Sequence, residues 1–359
     1  MNLSLKQRQQ AFIRLREFLS QFIESYPISK ETFFNEQENH LAHAIQKAMQ
    51  NNAWFTEENI LLAFDGIVRL LNEQDLTNWL QKYSVGKSDK PLNIGVVMAG
   101  NIPVVGFHDF MCVLISGNRF IGKLSSDDPY LLPALFNILV SFEPLVEGLA
   151  EFTADPFKKV DAIIATGSNN TSRYFEYYFS RYPHIIRRNR NGLAVFNGDE
   201  TINDLQQLSV DVFSFFGLGC RNVSMLYLPI GYDPKEMFPG FERYENIISH
   251  SKYFNNYLYN KSLLLVNKEA HYDNGFVLLR PHQSLSSPVG VLHYDFYHDT
   301  DQLIARLSSQ QSEVQCIVSK NGWFKGSDHF GQAQKPSIDV YADQIDTMQF
   351  LIELSEYSH

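Results

Sequence analysis

The stretch NIGVVMAG, residues 93–100, is a short apolar run that ends in glycine. A run of this kind is typical of a strand that is buried on both faces of a parallel sheet. Asn101 and Pro103 turn the chain directly after it, and residues 104–115 have the composition of a helix. The sequence therefore predicts a strand, a turn and a helix here, the first such unit of an α/β domain.

The same order of elements occurs twice more along the chain. RFIGKL at 119–124 precedes the turn SSDDP at 125–129, and VDAIIA at 160–165 precedes the turn TGSNNT at 166–171. Each turn leads into a helical pattern, the second of which spans residues 172–179. Three such units predict a doubly wound α/β sheet, and a nucleotide binds at the carboxyl edge of sheets of this type. The glycine-rich dinucleotide fingerprint is absent, so a nucleotide site cannot rest on it.

Residues 5–83 are predicted to be helical. Apolar residues recur at spacings of three and four in two runs, which are Phe12, Leu15, Leu19 and Phe22, and Ile60, Phe64, Ile67 and Leu71. Thr56 precedes the second run and suits a helix N-cap, because Glu57 and Glu58 would follow it in the first turn. We expect these helices to cover the sheet, and a dimerisation arm is the less favoured alternative.

A second α/β layer is predicted in the last part of the chain. Residues 185–196 contain a basic turn and a strand, and residues 199–212 predict a helix. Further strands are predicted at 262–266, 275–279, 290–296 and 314–319, with a helix at 299–308. We divide the chain into a first domain over 1–197, a second over 198–330, and a C-terminal strand and tail over 331–359.

The composition indicates a folded protein in a reducing environment. Of the 359 residues, 44% are hydrophobic and 19% are charged, which is enough apolar material for two cores. The net charge of -10 argues against nucleic acid and against an anionic membrane surface as partners. The three cysteines stand far apart, so we expect neither a disulfide scaffold nor a metal site. No signal peptide or membrane span is recognisable, and we expect a cytoplasmic location.

Cys220 lies in FSFFGLGCRNVSMLYLP, residues 213–229, where two glycines precede it and a strand pattern follows. Glycine backbone freedom would let a substrate carbonyl approach the sulfur, so we interpret Cys220 as a nucleophile. The alternative is a small buried hydrophobic side chain, which suits Cys112 and Cys316 better because apolar residues surround them. Arg221 either lowers the pKa of the thiol or serves as an ion-pair partner between domains.

Four motifs in this order resemble the aldehyde dehydrogenase superfamily. They are GNIP at 100–103, GKLSS at 122–126, ATGS at 165–168, and the single Cys220 about fifty residues further on. Together with the ending FGQAQKPSIDVY at 330–341, they are most similar to the acyl-CoA reductase branch that supplies fatty aldehyde in bacterial bioluminescence. The resemblance covers roughly residues 90–345 and implies a doubly wound cofactor-binding sheet, a smaller α/β catalytic domain and a helical N-terminal region.

The resemblance implies a role for each motif. Asn101 matches the asparagine whose amide forms an oxyanion hole with the backbone N–H of the cysteine. Lys123, with Ser125 and Ser126 beside it, matches the group that reaches the adenosine ribose of a nicotinamide cofactor. The turn of Thr166, Gly167 and Ser168 matches the one that holds the pyrophosphate at a helix N-terminus. The alternatives are a turn residue for Asn101, a solvated charge for Lys123 and an ordinary capped helix start for the last turn.

Two departures from the family pattern set the expected reaction. Relatives that prefer NAD carry a glutamate at the position of Ser126, and a neutral serine avoids repelling a 2′-phosphate, so NADPH is favoured over NADH. Hydrolytic members carry a water-activating glutamate where this chain has NRNGL at 189–193. A thioester on Cys220 would therefore persist, which favours reduction of a long-chain acyl-CoA to its aldehyde over oxidation of an aldehyde.

Other possibilities follow from the same resemblance. The two alternative functions are an NAD(P)-dependent aldehyde dehydrogenase, and a noncatalytic family member that serves as a binding or scaffold protein. The family pairs its subunits through a C-terminal strand like residues 337–341, which implies a homo-oligomer. The aromatic residues of the predicted helix at 172–179 either line an acyl channel or, as is commoner for aromatic residues at helical spacing, belong to the core.

Overall fold

The computed structural model describes residues 3–26, 35–85 and 91–357. The chain forms two compact units, Met1–Arg188 with Ser337–His359, and Asn189–Pro336. The division after Arg188 falls before the boundary expected at 197/198, because the next strand, Asn191–Val195, already pairs within the second sheet. The segment from Ser337 onward belongs to the first unit.

The helices and strands of the described residues are numbered along the chain. The helices are α1 (Leu5–Ser25), α2 (Glu36–Asn51), α3 (Glu57–Leu70), α4 (Glu73–Leu80), α5 (Phe107–Ser116), α6 (Leu131–Phe142), α7 (Asn169–Phe179), α8 (Ile202–Phe213), α9 (Phe238–Phe241), α10 (Ser251–Val266), α11 (Thr300–Ser309) and α12 (Thr347–Tyr357). The strands are β1 (Asn93–Val97), β2 (Arg119–Lys123), β3 (Ala150–Thr153), β4 (Ala162–Thr166), β5 (His184–Arg187), β6 (Asn191–Val195), β7 (Val223–Pro229), β8 (Tyr272–Asp273), β9 (Leu278–Pro281), β10 (Val291–Tyr297), β11 (Val314–Ser319) and β12 (Asp328–His329).

The sheet of the first unit is parallel throughout its described strands and has the order β3-β2-β1-β4-β5. Ile94 of β1 lies opposite Phe120 of β2 and Ala162 of β4, and all three are fully buried. The predicted doubly wound sheet is confirmed. Since neighbouring parallel strands end at one edge, the turns after β1, β2 and β4 lie side by side.

The predicted N-terminal helices are confirmed, and they pack on the helices of this unit. Phe12 of α1 makes edge-on ring contacts with Phe107 and Phe110 of α5. Arg8 donates from Nε to the carbonyl of Ile115 at 3.0 Å. Thr56 caps α3 as expected, because its hydroxyl accepts from the N–H of Asn59. The apolar faces read from the sequence are therefore the buried ones.

The second unit is built on a sheet of order β12-β11-β6-β7-β10-β9-β8, in which only the described pair β8 and β9 is antiparallel. The strand predicted at 262–266 is wrong, because these residues form the C-terminal end of helix α10. Leu265 and Val266 are 59% and 80% exposed there. This apolar run has the composition of a strand, but the helix that begins at Ser251 continues through it.

The C-terminal segment does not form the strand that was expected at 337–341. Within the described chain these residues are irregular, and Ile338 and Tyr341 are buried in the first unit. The hydroxyl of Tyr341 accepts from Nε1 of Trp79 at 2.9 Å, which fixes the segment against α4. Pairing of subunits through this segment stays a prediction. None of the described helices has the length and apolar character that crossing a membrane requires.

Candidate active site

Cys220 stands on a tight turn between α8 and β7. The N–H of Asn222 donates to the carbonyl of Gly219 at 3.0 Å, so Cys220 and Arg221 occupy the two central positions of the turn. All three cysteines lie in the described part of the chain, and of these Cys220 is exposed whereas Cys112 and Cys316 are buried. The structure thus presents one thiol to solvent, and it is the one selected from the sequence.

The backbone that leads to this turn is strained. Phe215, Phe216 and Gly217 have φ angles of 51°, 58° and 76°, which is the left-handed region. Glycine adopts such angles freely, but a phenylalanine does so at a cost, so packing must hold both phenylalanines in place. Phe215 is buried, and the ring of Phe216 stacks on His250 with centroids 4.2 Å apart. Phe215 and Phe216, which precede Gly217, therefore anchor the strained turn.

Asn222 holds the Cys220 turn to the end of α8. Its amide nitrogen donates to the carbonyls of Asp211 and Ser214 at 3.0 and 2.8 Å, and its amide oxygen accepts from the N–H of Gly219 at 2.8 Å. The side chain is 2% exposed. One buried amide therefore satisfies carbonyls at the helix end and an N–H of the Cys220 turn, which fixes the position of Cys220.

Asp211 and Arg221 hold the turn at 331–333 beside this helix end. The carboxylate of Asp211 accepts from the N–H groups of Gly331 and Ala333 at 2.6 and 2.9 Å, and Arg221 donates from Nε to the carbonyl of Ala333. Burial raises the pKa of Asp211 to about 7, although the two N–H donors oppose that shift. Arg221 also lies 4.0 Å from Asp328, so its guanidinium serves contacts inside the second unit.

Strand β6 packs closely against the Cys220 turn at Gly192. A Cβ at Gly192 would lie 2.6 Å from the carbonyl oxygens of both Arg221 and Asn222. Cys316, on the neighbouring strand β11, donates from Sγ to the carbonyl of Arg221 at 3.5 Å. Burial raises the pKa of the Cys316 thiol to about 12, which keeps it protonated at neutral pH.

The first unit carries Asn101 on the turn after β1. Asn101 is exposed, and Val104 close behind it has a φ of 51°. The N–H of Val104 donates to Oδ2 of Asp128 at 2.9 Å, and Oδ1 of Asp128 accepts from the N–H of Leu131 at 3.3 Å. Burial raises the pKa of Asp128 to about 6. This carboxylate ties the Asn101 turn to the start of α6.

The turns after β1 and β2 interlock as the sheet order predicts. A Cβ at Gly100 would lie 2.4 Å from the hydroxyl oxygen of Ser125, so glycine is required where the two turns meet. Ser126 accepts through its carbonyl from the side chain of Asn51 at 2.7 Å. Lys123 donates from Nζ to the carbonyl of Ala154 at 2.6 Å. The structure therefore brings Asn101, Lys123, Ser125 and Ser126 to one edge of the sheet.

The turn after β4 reaches the same edge. Ser168 is the N-cap of α7, and its hydroxyl accepts from the N–H of Thr171 at 3.2 Å. A Cβ at Gly167 would lie 2.9 Å from the ring of Phe175 and 3.1 Å from Thr171, so only glycine fits. The turn at 166–168 thus presents hydroxyl groups and a helix N-terminus beside the other predicted cofactor residues.

The aromatic residues of α7 do not belong to the core. Tyr174, Tyr177 and Tyr178 are 66%, 78% and 64% exposed. Helical spacing alone favoured burial for these rings, but α7 packs on the sheet with little of its surface. The positioning roles of Asp128, Asp211 and Asn222 were not predicted from the sequence, since most of their partners are backbone groups of other elements. No group of side chains in the described residues has the make-up of a metal site.

Comparisons with known proteins place these features in a family and a fold. The model of a family described as acyl-CoA reductase (LuxC) matches residues 34–238. No curated protein matches the chain significantly. Among solved structures, an aldehyde dehydrogenase from Physcomitrella patens in complex with succinate is 13% identical, with a TM-score of 0.64 over 98% of this chain and 85% of that one.

Two further structures have the same fold. An indole-3-acetaldehyde dehydrogenase in complex with NAD+ is 10% identical, with a TM-score of 0.67 over 98% of this chain and 83% of that one. The indole-3-acetaldehyde dehydrogenase of P. syringae is 12% identical, with a TM-score of 0.62 over 92% of this chain and 75% of that one. These likenesses establish the aldehyde dehydrogenase fold.

Proposed function

The chain belongs to the acyl-CoA reductase (LuxC) family, and from this premise we propose that it reduces a long-chain acyl-CoA to the aldehyde through an acyl-thioester on Cys220, with NADPH as the preferred reductant. The resemblance read from the four motifs is confirmed at the level of the family. The observation that carries the proposal is the exposed Cys220 on a turn whose backbone is clamped by Asn222.

The proposed reaction begins at the sulfur of Cys220. Its thiolate attacks the acyl carbon, the bond from that carbon to the sulfur of CoA breaks, and CoA leaves as a thiol after taking up a proton. A thiolate suits both halves of this exchange, because it is a strong nucleophile and a good leaving group. We assign Asn101 as a donor to the oxyanion that forms on the acyl oxygen, a contribution typically worth about 3 kcal/mol of barrier.

The edge of the first sheet fits a nicotinamide cofactor. The turn of Thr166, Gly167 and Ser168 leads into the N-terminus of α7, where backbone N–H groups would favour a phosphate. Thr166 and Ser168 would donate hydroxyl hydrogen bonds to the pyrophosphate, and Lys123 with Ser125 would hold the adenosine ribose. The bound cofactor supplies the hydride that reduces the acyl group. Ser126 carries no charge that would repel a 2′-phosphate, which favours NADPH over NADH.

The strand beside the catalytic turn supports reduction over hydrolysis. Residues 189–193, where hydrolytic relatives carry a glutamate, contain no carboxylate in this chain. Asp211 is the buried carboxylate nearest to the turn in sequence, and both of its oxygens accept backbone N–H groups. Neither feature directs a water molecule to the acyl-thioester, so the acyl group would await hydride.

A single assay tests the proposal. Protein, long-chain acyl-CoA and NADPH are mixed, and cofactor oxidation and free CoA thiol are followed together. We expect both signals in equal amounts from the wild type and neither from Cys220→Ala, while Cys112→Ala, which removes a buried thiol of the first unit, keeps activity. An active Cys220→Ala variant would refute the cysteine mechanism. Aldehyde oxidation with NAD in the absence of CoA would indicate the dehydrogenase alternative, and lack of any cofactor binding the noncatalytic one.

The proposal also covers the oligomeric state and the cellular location of the enzyme. We infer a homo-oligomer and a cytoplasmic location, in line with a nucleophilic thiol that must stay reduced. Light scattering of the purified protein reports the oligomer, and a monomer at working concentrations would contradict it. Cell fractionation reports the location.

A further inference from the structure

The link between β9 and β10, residues 282–290, returns along the second sheet without a helix. The two strands are parallel neighbours, so the link must run back over the sheet to the start of β10. Leu285 in this link is 3% exposed and belongs to the same buried cluster as Met225 and Tyr227 of β7. The 282–290 loop therefore packs on the face of the sheet to which these two side chains point.

Two histidines hold the backbone of Ser284 in this loop. Nδ1 of His282 accepts from the N–H of Ser284 at 3.0 Å, and Nδ1 of His293 on β10 lies 2.9 Å from the carbonyl oxygen of Ser284. The two imidazole rings lie against each other, with centroids 4.5 Å apart. An N–H only donates and a carbonyl only accepts, so Nδ1 is unprotonated in His282 and protonated in His293. The bond from Ser284 to His282 thus exists only while His282 is neutral.

The environment of His293 disfavours a positive charge on its ring. The residue is 2% exposed, and its Nε2 is buried without a hydrogen-bond partner among the described residues. Burial lowers the pKa of His293 to about 4, against the effect of its bond to Ser284 and with added contributions from His282 and Arg280. His293 therefore stays neutral where histidines usually gain a proton, and the half-buried His282 is the member of the pair that takes one up.

The charged groups around the two rings do not compensate a proton on them. Arg280 lies opposite His293 in the register of β9 and β10, and as a cation it opposes a further positive charge. The other titratable side chains near the pair among the described residues, from β7, β10, α11 and the segment before β8, are Tyr227, Asp295 with its partner Arg306, and Glu269, which pairs with Arg280. Both carboxylates are thus already bound to guanidinium groups. A proton taken up by His282 weakens the hold on Ser284 and gains no ion pair from these groups.

The same loop is joined to the Cys220 turn through Ser224. The hydroxyl of Ser224 donates to the carbonyl of Leu285, one residue beyond Ser284, at 2.7 Å. Ser224 is the second residue of β7, which begins directly after the turn that carries Cys220. A loop that leaves the sheet at Ser284 therefore withdraws a hydrogen-bond acceptor from the start of this strand.

We propose that His282 and His293 clamp the loop at Ser284 and that this clamp opens in acid. The proton that opens it binds Nδ1 of His282 and takes the place of the N–H of Ser284. The opened loop no longer braces Ser224, so the Cys220 turn becomes looser. Histidine changes charge between about pH 5 and pH 8, which is the range in which the clamp acts. Such a clamp goes beyond the proposed function, since it sets the position of the thiol whichever reaction occurs there.

Hydrogen exchange of the full chain tests the clamp without turnover. Protection factors, which correct for the effect of pH on intrinsic exchange, are measured for residues 282–290 from about pH 8 to about pH 5. We expect the wild type to lose at least about tenfold in protection in acid, which corresponds to about 1.4 kcal/mol. In His282→Asn the side-chain oxygen still accepts from the N–H two residues on, as in an Asx turn, and cannot gain a proton, so protection should not fall. The matched control His298→Asn removes an exposed histidine of the same unit and should behave like the wild type.

Unchanged protection of the wild-type loop on acidification would overturn the clamp, and so would an equal loss in His282→Asn. The rate at which iodoacetamide modifies Cys220 tests the link to the turn. The ratio of the wild-type rate to the His282→Asn rate at each pH removes the titration of the thiol itself. We expect this ratio to rise as the pH falls, and to stay constant when both proteins also carry Ser224→Ala, which removes the connecting bond. A constant ratio in the original pair, or a rising one in the Ser224→Ala pair, would overturn the link to Cys220.

Discussion

Asn222 connects two backbone segments that would otherwise leave buried polar groups without partners. Replacing it by alanine removes donors to the carbonyls of Asp211 and Ser214 and the acceptor for the N–H of Gly219. We expect Asn222→Ala to lower the free energy of unfolding by about 3 kcal/mol, since a buried group left unpaired costs roughly 1 to 3 kcal/mol. Urea unfolding measures the loss, and the rate at which a thiol reagent modifies Cys220 reports the altered turn.

A more specific variant at the same position tests the direction of these bonds. Asn222→Asp keeps the acceptor for Gly219 but turns an oxygen toward two carbonyls, so it should be less stable than Asn222→Ala at neutral pH and regain stability in acid. Asn256→Ala, which removes an exposed amide on α10, should change stability by no more than about 0.5 kcal/mol. If all three variants unfold alike, Asn222 does not clamp the turn.

The titration of Asp211 makes the stability of the second unit depend on pH. Its pKa is raised from 3.8 to about 7, mainly by burial, so the native state holds this proton more tightly than the unfolded chain. The stability due to this group is full below about pH 4 and is lost as the pH rises through 7. We therefore expect the wild type to lose more unfolding free energy between about pH 5 and pH 8 than Asp211→Asn does. Parallel slopes for the two proteins, measured by urea unfolding, would contradict this titration.

At the scale of elements, β6 packs so closely on the Cys220 turn that no side chain fits at Gly192. The missing Cβ of Gly192 would collide with two carbonyl oxygens of that turn, which are backbone atoms and cannot rotate away. Gly192→Ala should therefore destabilise the chain by about 1 to 3 kcal/mol and displace Cys220, with loss of acyl-CoA reduction. Gly148→Ala is the control, since a Cβ there meets nothing within 4 Å. A Gly192→Ala enzyme with normal activity and stability would show that β6 does not set the turn.

The central strands could be predicted from the sequence, but the edges could not. β1 and β4 are apolar runs that end at turn residues and are largely buried, and β2, which is half-buried, was marked by the polar turn that follows it. β3 was not predicted, since this edge strand is largely exposed or half-buried and has no continuous apolar run. The end of α10 was predicted as a strand because its Leu-Leu-Leu-Val run is continuously apolar, although Leu264 alone is buried and the other three residues are exposed on the helix.

The residues of the candidate site could also be predicted only in part. Cys220, Asn101 and the turn at 166–168 were found because glycine, proline and polar residues mark turns after strands. Asp211 was not found, because it accepts from Gly331, which is 120 positions away in the chain. Contacts of this kind exist only after the fold has formed, and a single sequence gives no spacing that reveals them.

At the scale of the whole molecule, the second unit is inserted into the first. The chain leaves the first unit after Arg188 and returns to it at Ser337. The returning segment is held by polar contacts within that unit. Lys82 pairs with Asp339 at 2.7 Å, and the hydroxyl of Tyr83 donates to Asp346 at 2.7 Å. The first unit is thus complete only when both parts of the chain have been brought together.

Arg187, at the end of β5, is buried where the returning segment joins the rest of the first unit. Its guanidinium donates to Oδ1 of Asp109 on α5 at 2.8 Å and to the hydroxyl of Thr347, the first residue of α12, at 2.7 Å. Both charged side chains are less than a tenth exposed. Removing one partner would leave the other as an uncompensated buried charge, whereas removing both would leave none.

We therefore expect Arg187→Met to destabilise the first unit by about 3 to 5 kcal/mol and Asp109→Leu/Arg187→Met to recover most of that loss. Trp54 and Trp79 lie in the first unit and Trp323 in the second, so a Trp323→Phe background makes fluorescence report the first unit alone. Arg69→Ala breaks the exposed pair with Asp65 and should cost no more than about 0.5 kcal/mol. If the double variant is as unstable as Arg187→Met, the loss of stability comes from the lost packing of the guanidinium group and not from the unpaired carboxylate.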